Sequence, residues 1–270
     1  MLGAIWGDIA GSAFERKGVK GLRPRFDMFS DDAHFTDDTV MTLAIAEGLI
    51  QGYGDLESCK SAVISSMKKL GRKYPDVGYG KQFHQWLESD DSRPYGSCGN
   101  GSAMRVSPVA YCCHNLQEVE AYAKATAEVS HNHPEGIKGA QAVAAAIYLA
   151  RKGATKAEIR YYMTQRFGYK LSFTLRDIKD IYQFDATCQG SIPQAIVAFL
   201  ESHHVESAIR SAVLLGGDTD TQASIAGAIA EAYYGTIPEN IVKKIYSYLP
   251  NDLLTIQENF ERFIANLEKE

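Results

Sequence analysis

The sequence has few cysteines and no pairing pattern among them. Its five cysteines are an odd number, and none of them forms a C-x-x-C motif. A disulfide framework needs paired cysteines, and a structural zinc site typically needs closely spaced cysteine and histidine ligands. The sequence therefore predicts neither feature, and these residues are expected to be core or surface thiols.

Long apolar runs and an excess of basic charge are also missing. No stretch approaches the roughly 18 apolar residues of a membrane span, and the first residues lack the basic-then-apolar pattern of a signal peptide. A net charge of -5 argues against electrostatic capture of nucleic acid or anionic lipid, while 45% hydrophobic content argues against a disordered chain. We expect a cytoplasmic protein that binds no membrane, does not capture nucleic acid through its net charge, and holds any polyanionic ligand with local groups.

Runs of alternating β-branched residues, which predict strands, are absent as well. Apolar residues instead recur at helical spacing, and a capping box at Thr155 and Glu158 with Gly168 as a stop marks one helix clearly. Helices are predicted over 37–50, 56–70, 82–88, 116–130, 139–151, 156–167, 193–202, 205–215, 221–234, 239–249 and 253–267. Between residues 72 and 108, glycines and prolines predict a long loop, which in a compact domain is usually functional. The fold class is all-α, with residues 1–270 expected to form a single domain.

Two carboxylates and a hydroxyl occur where a loop enters a helix, at Asp218, Asp220 and Thr221. If the backbone there is extended, the two acids share one side, because side chains two residues apart in an extended segment point the same way. Gly216 and Gly217 permit positive φ and a close approach to the backbone. The alternative interpretation is that Asp220 or Thr221 only caps the following helix.

A second acidic cluster, Thr36, Asp37 and Asp38, also precedes an apolar helix. One acid at a helix start complements the helix dipole, but two adjacent acids repel each other unless cations bind. Together the two clusters offer four carboxylates and two hydroxyls, an all-oxygen set that favours Mg²⁺, Mn²⁺ or Ca²⁺ over zinc. Four acids exceed what one Mg²⁺ usually takes, so two ions roughly 3.5–4 Å apart fit better.

Two weaker patterns lie between the acidic clusters. The glycines in residues 97–105 expose backbone N–H groups that can cradle phosphate, although a plain irregular turn explains them equally well. Arg105 could add a cation or form a structural salt bridge. His131 and His133 could bind a ligand or act as acid and base, or they could neutralise a helix C-terminus.

Five motifs together resemble the ADP-ribosylglycohydrolase family, which includes dinitrogenase reductase-activating glycohydrolase. They are GDIAGSAFE at 7–15, FTDDT at 35–39, GNGSAMR at 99–105, SH at 130–131 and GGDTDT at 216–221. The resemblance covers residues 1 to about 235, and the two acidic motifs are its most specific part. It implies a compact all-α orthogonal helical bundle with a binuclear Mg²⁺ centre, Mn²⁺ in some members, in a cleft.

The resemblance also implies roles for individual residues. The implied metal ligands are Thr36, Asp37, Asp38, Asp218, Asp220 and Thr221. The implied binding residues for ADP-ribose are Gly99, Asn100, Gly101 and Ser102 at the diphosphate, and His131 rather than His133 nearby. Glu15 matches a glutamate that contacts the metal or the attacking water, although Ala13 stands where many relatives have proline. Our hypothesis is that Glu15, Asp37 or Asp38 is the catalytic acid or base.

These roles imply a Mg²⁺-dependent hydrolase that cleaves the glycosidic bond between ADP-ribose and an acceptor. The partner would be an ADP-ribosylated protein or a small ADP-ribose conjugate, with arginine-linked protein as the leading acceptor. Serine, a nucleic-acid base and an acetyl ester are the other acceptors. The alternatives are a metal-dependent nucleotide phosphohydrolase or pyrophosphatase, and a non-catalytic ADP-ribose-binding or structural relative. A monomer is expected, because no exposed heptad or apolar stripe is found.

Overall fold

The computed structural model describes residues 1–15 and 17–269, and the regular secondary structure within them is helical. Fifteen helices and no strand are found in this part of the chain, together with one isolated bridge between Gly99 and Thr187. The predicted all-α class is confirmed. In chain order the helices are α1 (Leu2–Glu15), α2 (Asp37–Gly52), α3 (Leu56–Lys73), α4 (Lys81–Glu88), α5 (Gly101–Met104), α6 (Val109–Cys112), α7 (Leu116–Glu128), α8 (Pro134–Arg151), α9 (Lys156–Phe167), α10 (Leu175–Ile178), α11 (Cys188–Glu201), α12 (Val205–Leu215), α13 (Thr219–Tyr234), α14 (Glu239–Tyr246) and α15 (Asn251–Leu267).

Helices α1 and α13 form a closely packed pair at the centre of the connected hydrophobic core. Three glycines of α1, four residues apart, face α13, since residues at this spacing share one face of a helix. A Cβ added at Gly7 would lie 2.1 Å from the Ala223 carbonyl oxygen, and one at Gly11 would lie 2.4 Å from that of Thr219. Only hydrogen fits between these backbones, so the glycines bring the C-terminal half of α1 against the first turn of α13.

Helix α2 is buried along almost its whole length, with its N-terminus directed toward α1. Thr36 is its N-cap and accepts a hydrogen bond from the Asp38 amide at 3.3 Å. Near its other end, Gly48 and Gly52 let the backbone of α3 approach closely at Val63 and Cys59. The ends of three helices, α1, α2 and α13, therefore meet at one place in the fold.

Several helix boundaries differ from the predicted ones. Helix α1 is absent from the predicted set, because its glycines hide the apolar period. Helix α8 begins at Pro134 rather than 139, and α11 begins at Cys188 with Pro193 inside it. The capping box of α9 and the left-handed Gly168 after it are confirmed. No helix among the described residues is both long and apolar enough to cross a bilayer.

Candidate active site

A cavity of about 710 Å³ opens where α1, α2 and α13 meet. The acidic residues from both predicted clusters line it, as do Glu15, Asn100 and His131. Ser102 lies outside the lining, because its buried hydroxyl donates to the Gly136 carbonyl at 2.7 Å. The structure thus brings together nearly all the residues that the sequence singles out, from segments far apart in the chain.

The floor of this cavity is a cluster of carboxylates. Asp8, Asp38 and Asp220 each offer an oxygen within 4.8 Å of the others, and so do Glu15, Asp218 and Asp220. No lysine or arginine among the described residues forms an ion pair with Asp8, Asp38, Asp218 or Asp220. Within the described part of the chain, the negative charge of these four acids is therefore not balanced by a paired cation.

The pKa values of these acids reflect that imbalance. Burial, followed by repulsion from neighbouring acids, raises the pKa of Asp37, Asp38 and Asp220 well above the usual range. Burial also raises the pKa of Asp8 and Asp218, against the opposing effect of their hydrogen bonds. Low dielectric and like charges both disfavour the ionised form, so this site favours the approach of a cation.

The donor set fits a hard divalent cation. All of the donors are carboxylate or hydroxyl oxygens, the ligands that such cations prefer. The buried Oδ1 of Asp38 has no hydrogen-bond partner among the described residues. Buried polar atoms are nearly always partnered, so this oxygen is consistent with a ligand position. The cluster can hold metal, and its residues come from three helices.

Asp8 is a central residue of this cluster, and the sequence reasoning assigned it no role. It is fully buried on α1 and accepts hydrogen bonds from the amide and hydroxyl of both Thr36 and Thr39. The Thr36 hydroxyl donates at 2.6 Å and accepts from the Asp38 amide, so its oxygen keeps one lone pair for another partner. Asp8 also lies at the positive end of the α2 dipole, which favours its charge. In the sequence, the feature that could have identified Asp8 is a single acid within an otherwise apolar helical segment.

The GGDTDT segment is a sharp turn rather than an extended segment. Gly216 and Gly217 both have positive φ, and helix α13 begins immediately after Asp218. The N-cap position belongs to Asp218, whose side chain makes no capping bond, so the capping interpretation of Asp220 or Thr221 is wrong. Asp218 instead accepts from the Asn100 side chain at 2.7 Å.

Thr221 connects the two acidic clusters. Its hydroxyl donates to Asp38 Oδ2 at 3.1 Å, across 183 residues of sequence. Nearby, the Thr219 hydroxyl donates to the Gly11 carbonyl at 2.8 Å and ties α13 to α1. These bonds hold the first turns of α2 and α13 in one fixed arrangement, with their carboxylates facing the same space.

The glycine-rich loop is fastened to the segment before α11. The Asn100 amide donates to the Ala186 carbonyl at 2.8 Å, and the Gly99 amide donates to the Ser97 hydroxyl at 3.1 Å. Two of the four amides predicted to hold phosphate are therefore already hydrogen-bonded. The amides of Gly101 and Ser102, at the start of α5, make no hydrogen bond with the described residues.

His131 and His133 differ both in exposure and in the contacts that they make. His131 is 4% exposed and lines the cavity, and its Nδ1 lies 2.8 Å from the Ser130 hydroxyl. His133 is exposed and caps α8 by accepting from the Glu135 amide. Burial, followed by the charge of Arg105, lowers the pKa of His131 well below its usual range. His131 is therefore a neutral ring at the cavity wall.

Arg105 is a buried cation without a carboxylate partner among the described residues. Its Nη2 donates to the Thr126 carbonyl at 3.1 Å and to the Ser130 hydroxyl at 2.8 Å, while Nε and Nη1 have no described partner. Burial lowers its pKa to about 10. The structural salt bridge considered from the sequence is not formed with the described residues.

Comparison with known proteins gives a consistent result. A model of the ADP-ribosylglycohydrolase family matches residues 1–268. ADP-ribosylhydrolase ARH3 of Homo sapiens is 26% identical, over 94% of this chain and 90% of that protein. ADP-ribosylarginine hydrolase Tri1 of Pseudomonas putida is 24% identical, over 91% of this chain and 72% of that protein.

A solved structure shows the same fold. The structure of an ADP-ribosylglycohydrolase-related protein complex superimposes with a TM-score of 0.64 at 23% identity, covering 99% of this chain and 96% of that one. The family match, in contrast, rests on nearly the complete sequence and includes every segment that contributes to the acidic cavity. The chain therefore belongs to the ADP-ribosylglycohydrolase family and is a hydrolase.

Proposed function

We propose that the protein hydrolyses the bond between C1 of a ribose of ADP-ribose and an acceptor group. The observation that carries this proposal is the cluster of buried carboxylates at the cavity floor, in which Asp38, Asp218 and Asp220 form no ion pair with a described lysine or arginine. In the reaction, the oxygen of water bonds to C1 as the bond from C1 to the acceptor breaks. The water loses one proton and the acceptor atom gains one.

The residues that would hold metal are Thr36, Asp37, Asp38, Asp218, Asp220 and Thr221. We propose two Mg²⁺ ions, or Mn²⁺, because this many carboxylates exceeds the usual demand of one such ion. When bound, the ions would supply positive charge that holds the ribose hydroxyls and lowers the pKa of the attacking water. Two hydrogen bonds position these ligand oxygens. Asp8 accepts one from the Thr36 hydroxyl, and the Asn100 side chain donates one to Asp218.

Glu15 is our first choice for the group that moves the proton, with Asp37 and Asp38 as the alternatives. Glu15 lies at the C-terminal end of α1, lines the cavity, and is only partly buried. Asp37 and Asp38 are among the six proposed metal ligands, and a carboxylate held by a cation is a weaker base. Glu15 belongs to one of the two carboxylate clusters but is not one of those six ligands. A general base needs to reach the water in the cavity, which the position of Glu15 supports.

The anionic diphosphate would lie against the loop of Gly99, Asn100, Gly101 and Ser102. The imidazole of His131 supports this placement, as do the amides of Gly101 and Ser102, which donate to no described residue. For the acceptor we propose arginine on a protein, supported by the likeness to ADP-ribosylarginine hydrolase Tri1. Serine, a nucleic-acid base or an acetyl ester would each give the same ADP-ribose product from a different acceptor.

The test measures ADP-ribose release from peptides carrying ADP-ribosyl-arginine or ADP-ribosyl-serine, with Mg²⁺ or with a chelator. We expect Mg²⁺-dependent release from the arginine peptide, and loss of release in Asp218→Ala. Asp90→Asn, at an exposed acid outside the cavity, serves as the matched control. Equal release by the wild type and Asp218→Ala would contradict the proposal, and AMP or phosphate as product would favour the phosphohydrolase alternative.

Three further statements stay predictions of the sequence. We propose that residues 1–270 form one domain, which the family match over 1–268 supports. A monomer and a cytoplasmic location are proposed with it. Size measurement of the purified protein tests the monomer directly.

A further inference from the structure

We propose that Arg105 and Ser130 hold His131 as a neutral imidazole with its proton on Nε2, so that the ring donates a hydrogen bond into the cavity. The three side chains form a continuous buried chain that ends at the cavity wall. Arg105 and Ser130 are positioning residues in this proposal. The identity of the acceptor, a phosphoryl oxygen of ADP-ribose, rests on the proposed function, whereas the proton position does not.

The hydrogen bond between Arg105 and Ser130 can run in only one direction. A guanidinium group has only donors, so Nη2 of Arg105 donates to the Ser130 hydroxyl at 2.8 Å. Ser130 is fully buried, and its hydroxyl proton needs an acceptor inside the protein. Among the described residues, the acceptor within reach of that hydroxyl is Nδ1 of His131, at 2.8 Å.

The second bond then fixes the tautomer. If Nδ1 carried a proton, Ser130 would face donors from both Arg105 and His131, and its own buried proton would have no acceptor. An unsatisfied buried donor is costly, and the other tautomer avoids it. Nδ1 is therefore the acceptor, and in a neutral ring the proton must lie on Nε2. An imidazolium ring would also carry a proton on Nδ1, so the Ser130 hydroxyl proton would again have no acceptor. Its positive charge would in addition lie close to that of Arg105.

Nε2 lies at the glycine-rich loop. A Cβ added at Gly101 would lie 3.0 Å from Nε2, and one at Gly99 would lie 3.7 Å from it. The ring is also held between aromatic neighbours, with centroids 6.1 Å from Phe83 and 5.9 Å from Tyr95. These contacts place the Nε2–H group beside Gly99 and Gly101, so a ligand that bonds to it must offer an acceptor.

A hydrogen-bond donor at this position favours ligands that present an acceptor to it. A phosphoryl oxygen accepts from Nε2–H, while an ammonium or amide nitrogen of a ligand at the same position would meet donor against donor. Burial and Arg105 keep the pKa of His131 low, so the donor stays single and neutral at physiological pH. Loss of this hydrogen bond, whose acceptor is an anionic oxygen, is expected to weaken ADP-ribose binding about tenfold to 100-fold.

The deciding experiment is ¹⁵N NMR of the histidine rings in the wild-type protein without ligand. His131 is assigned among the seven histidines by the signals missing from a His131→Asn variant. We expect Nε2 protonated and Nδ1 unprotonated, with shifts constant between about pH 6 and pH 8, where an ordinary histidine titrates. A proton on Nδ1, or an imidazolium in this range, would overturn the proposal, whatever the variants do.

Variants separate positioning from general structure. Ser130→Ala should give a mixture of His131 tautomers and weaker ADP-ribose binding, and Ser130→Thr, which keeps the hydroxyl, should restore both. His133→Ala is the matched control at an exposed histidine and should leave binding unchanged. Unchanged binding in a Ser130→Ala protein whose tautomer has shifted would rule out the positioning role. Failure of the wild type to bind ADP-ribose would instead count against the proposed function and leave the NMR result intact.

Discussion

Asp220 participates in both groups of clustered carboxylates, which makes it the residue whose change most directly tests cation binding. In the wild type, a divalent cation bound only to the folded state should raise the free energy of unfolding by about 2.7 kcal/mol at 100 times its Kd. Asp220→Asn removes one anionic ligand and should abolish most of this gain. Urea denaturation with Mg²⁺ and with a chelator measures the difference.

The control for this substitution is Asp90→Asn, at a fully exposed acid. It should keep the full stabilisation by Mg²⁺. A normal response of Asp220→Asn to Mg²⁺ would show that this carboxylate is not a ligand. The metal-free Asp220→Asn protein should be at least as stable as the metal-free wild type, because it carries one fewer buried charge.

His131 should contribute to the pH dependence of stability. Its pKa is lowered in the folded state, so the unfolded chain binds a proton at a higher pH than the folded protein does. Unfolding is then favoured as the pH falls below about 6.5, the ordinary histidine value, and the loss continues toward the folded pKa. His131→Gln should flatten the decline in unfolding free energy between about pH 6.5 and pH 5. The control is His133→Gln, at an exposed histidine. If unfolding free energy falls with pH equally steeply in the two variants, His131 does not cause this pH dependence.

At the scale of helices, the close contact of α1 with α13 determines where the acids lie. Gly7→Ala places a Cβ 2.1 Å from a backbone oxygen, which cannot move away as a flexible side chain can. We expect a loss of about 3 kcal/mol in unfolding free energy, as for strong overpacking, and weaker Mg²⁺ binding because Asp8 moves with α1.

Gly80→Ala is the matched control for that substitution. A Cβ there meets nothing within 4 Å, and the backbone φ of -59 suits alanine. Its unfolding free energy should stay within about 1 kcal/mol of the wild type or rise slightly. Equal stability of the two variants in thermal and urea denaturation would show that the helix pair can separate without cost.

Sequence patterns predicted helices where apolar residues carry the packing, as in α3 and α9. They failed at α1, because its surface toward α13 is made of glycines, which contribute no hydrophobic signal and interrupt the apolar period. Asp8 was missed for a related reason: its partners Thr36 and Thr39 lie about 30 residues away, and only the fold joins them. The same limit applies to Ser130, whose role depends on contacts with two residues that no spacing rule connects.

Across the whole molecule, cation binding should link three distant segments. The carboxylates of α1, α2 and the first turn of α13 converge, so one ligand stabilises all three helix ends. Hydrogen exchange should slow together in residues 8–15, 36–41 and 219–223 when Mg²⁺ is added, by up to about 100-fold at 100 times the Kd. Peptides from α9, which lies outside the cavity lining, should not respond. A response confined to one segment would contradict a shared site.

The unbalanced carboxylates imply a trade-off between stability and activity. Burial and mutual repulsion raise the pKa of Asp37, Asp38 and Asp220 together, so the folded chain without a cation is under electrostatic stress. Selection for thermal stability alone would favour neutral replacements at these positions, since each relieves part of the repulsion. Stabilised variants chosen without a functional screen should therefore accumulate asparagine or apolar residues at the cavity floor. In such a protein, a high melting temperature would accompany the loss of cation binding and of hydrolase activity.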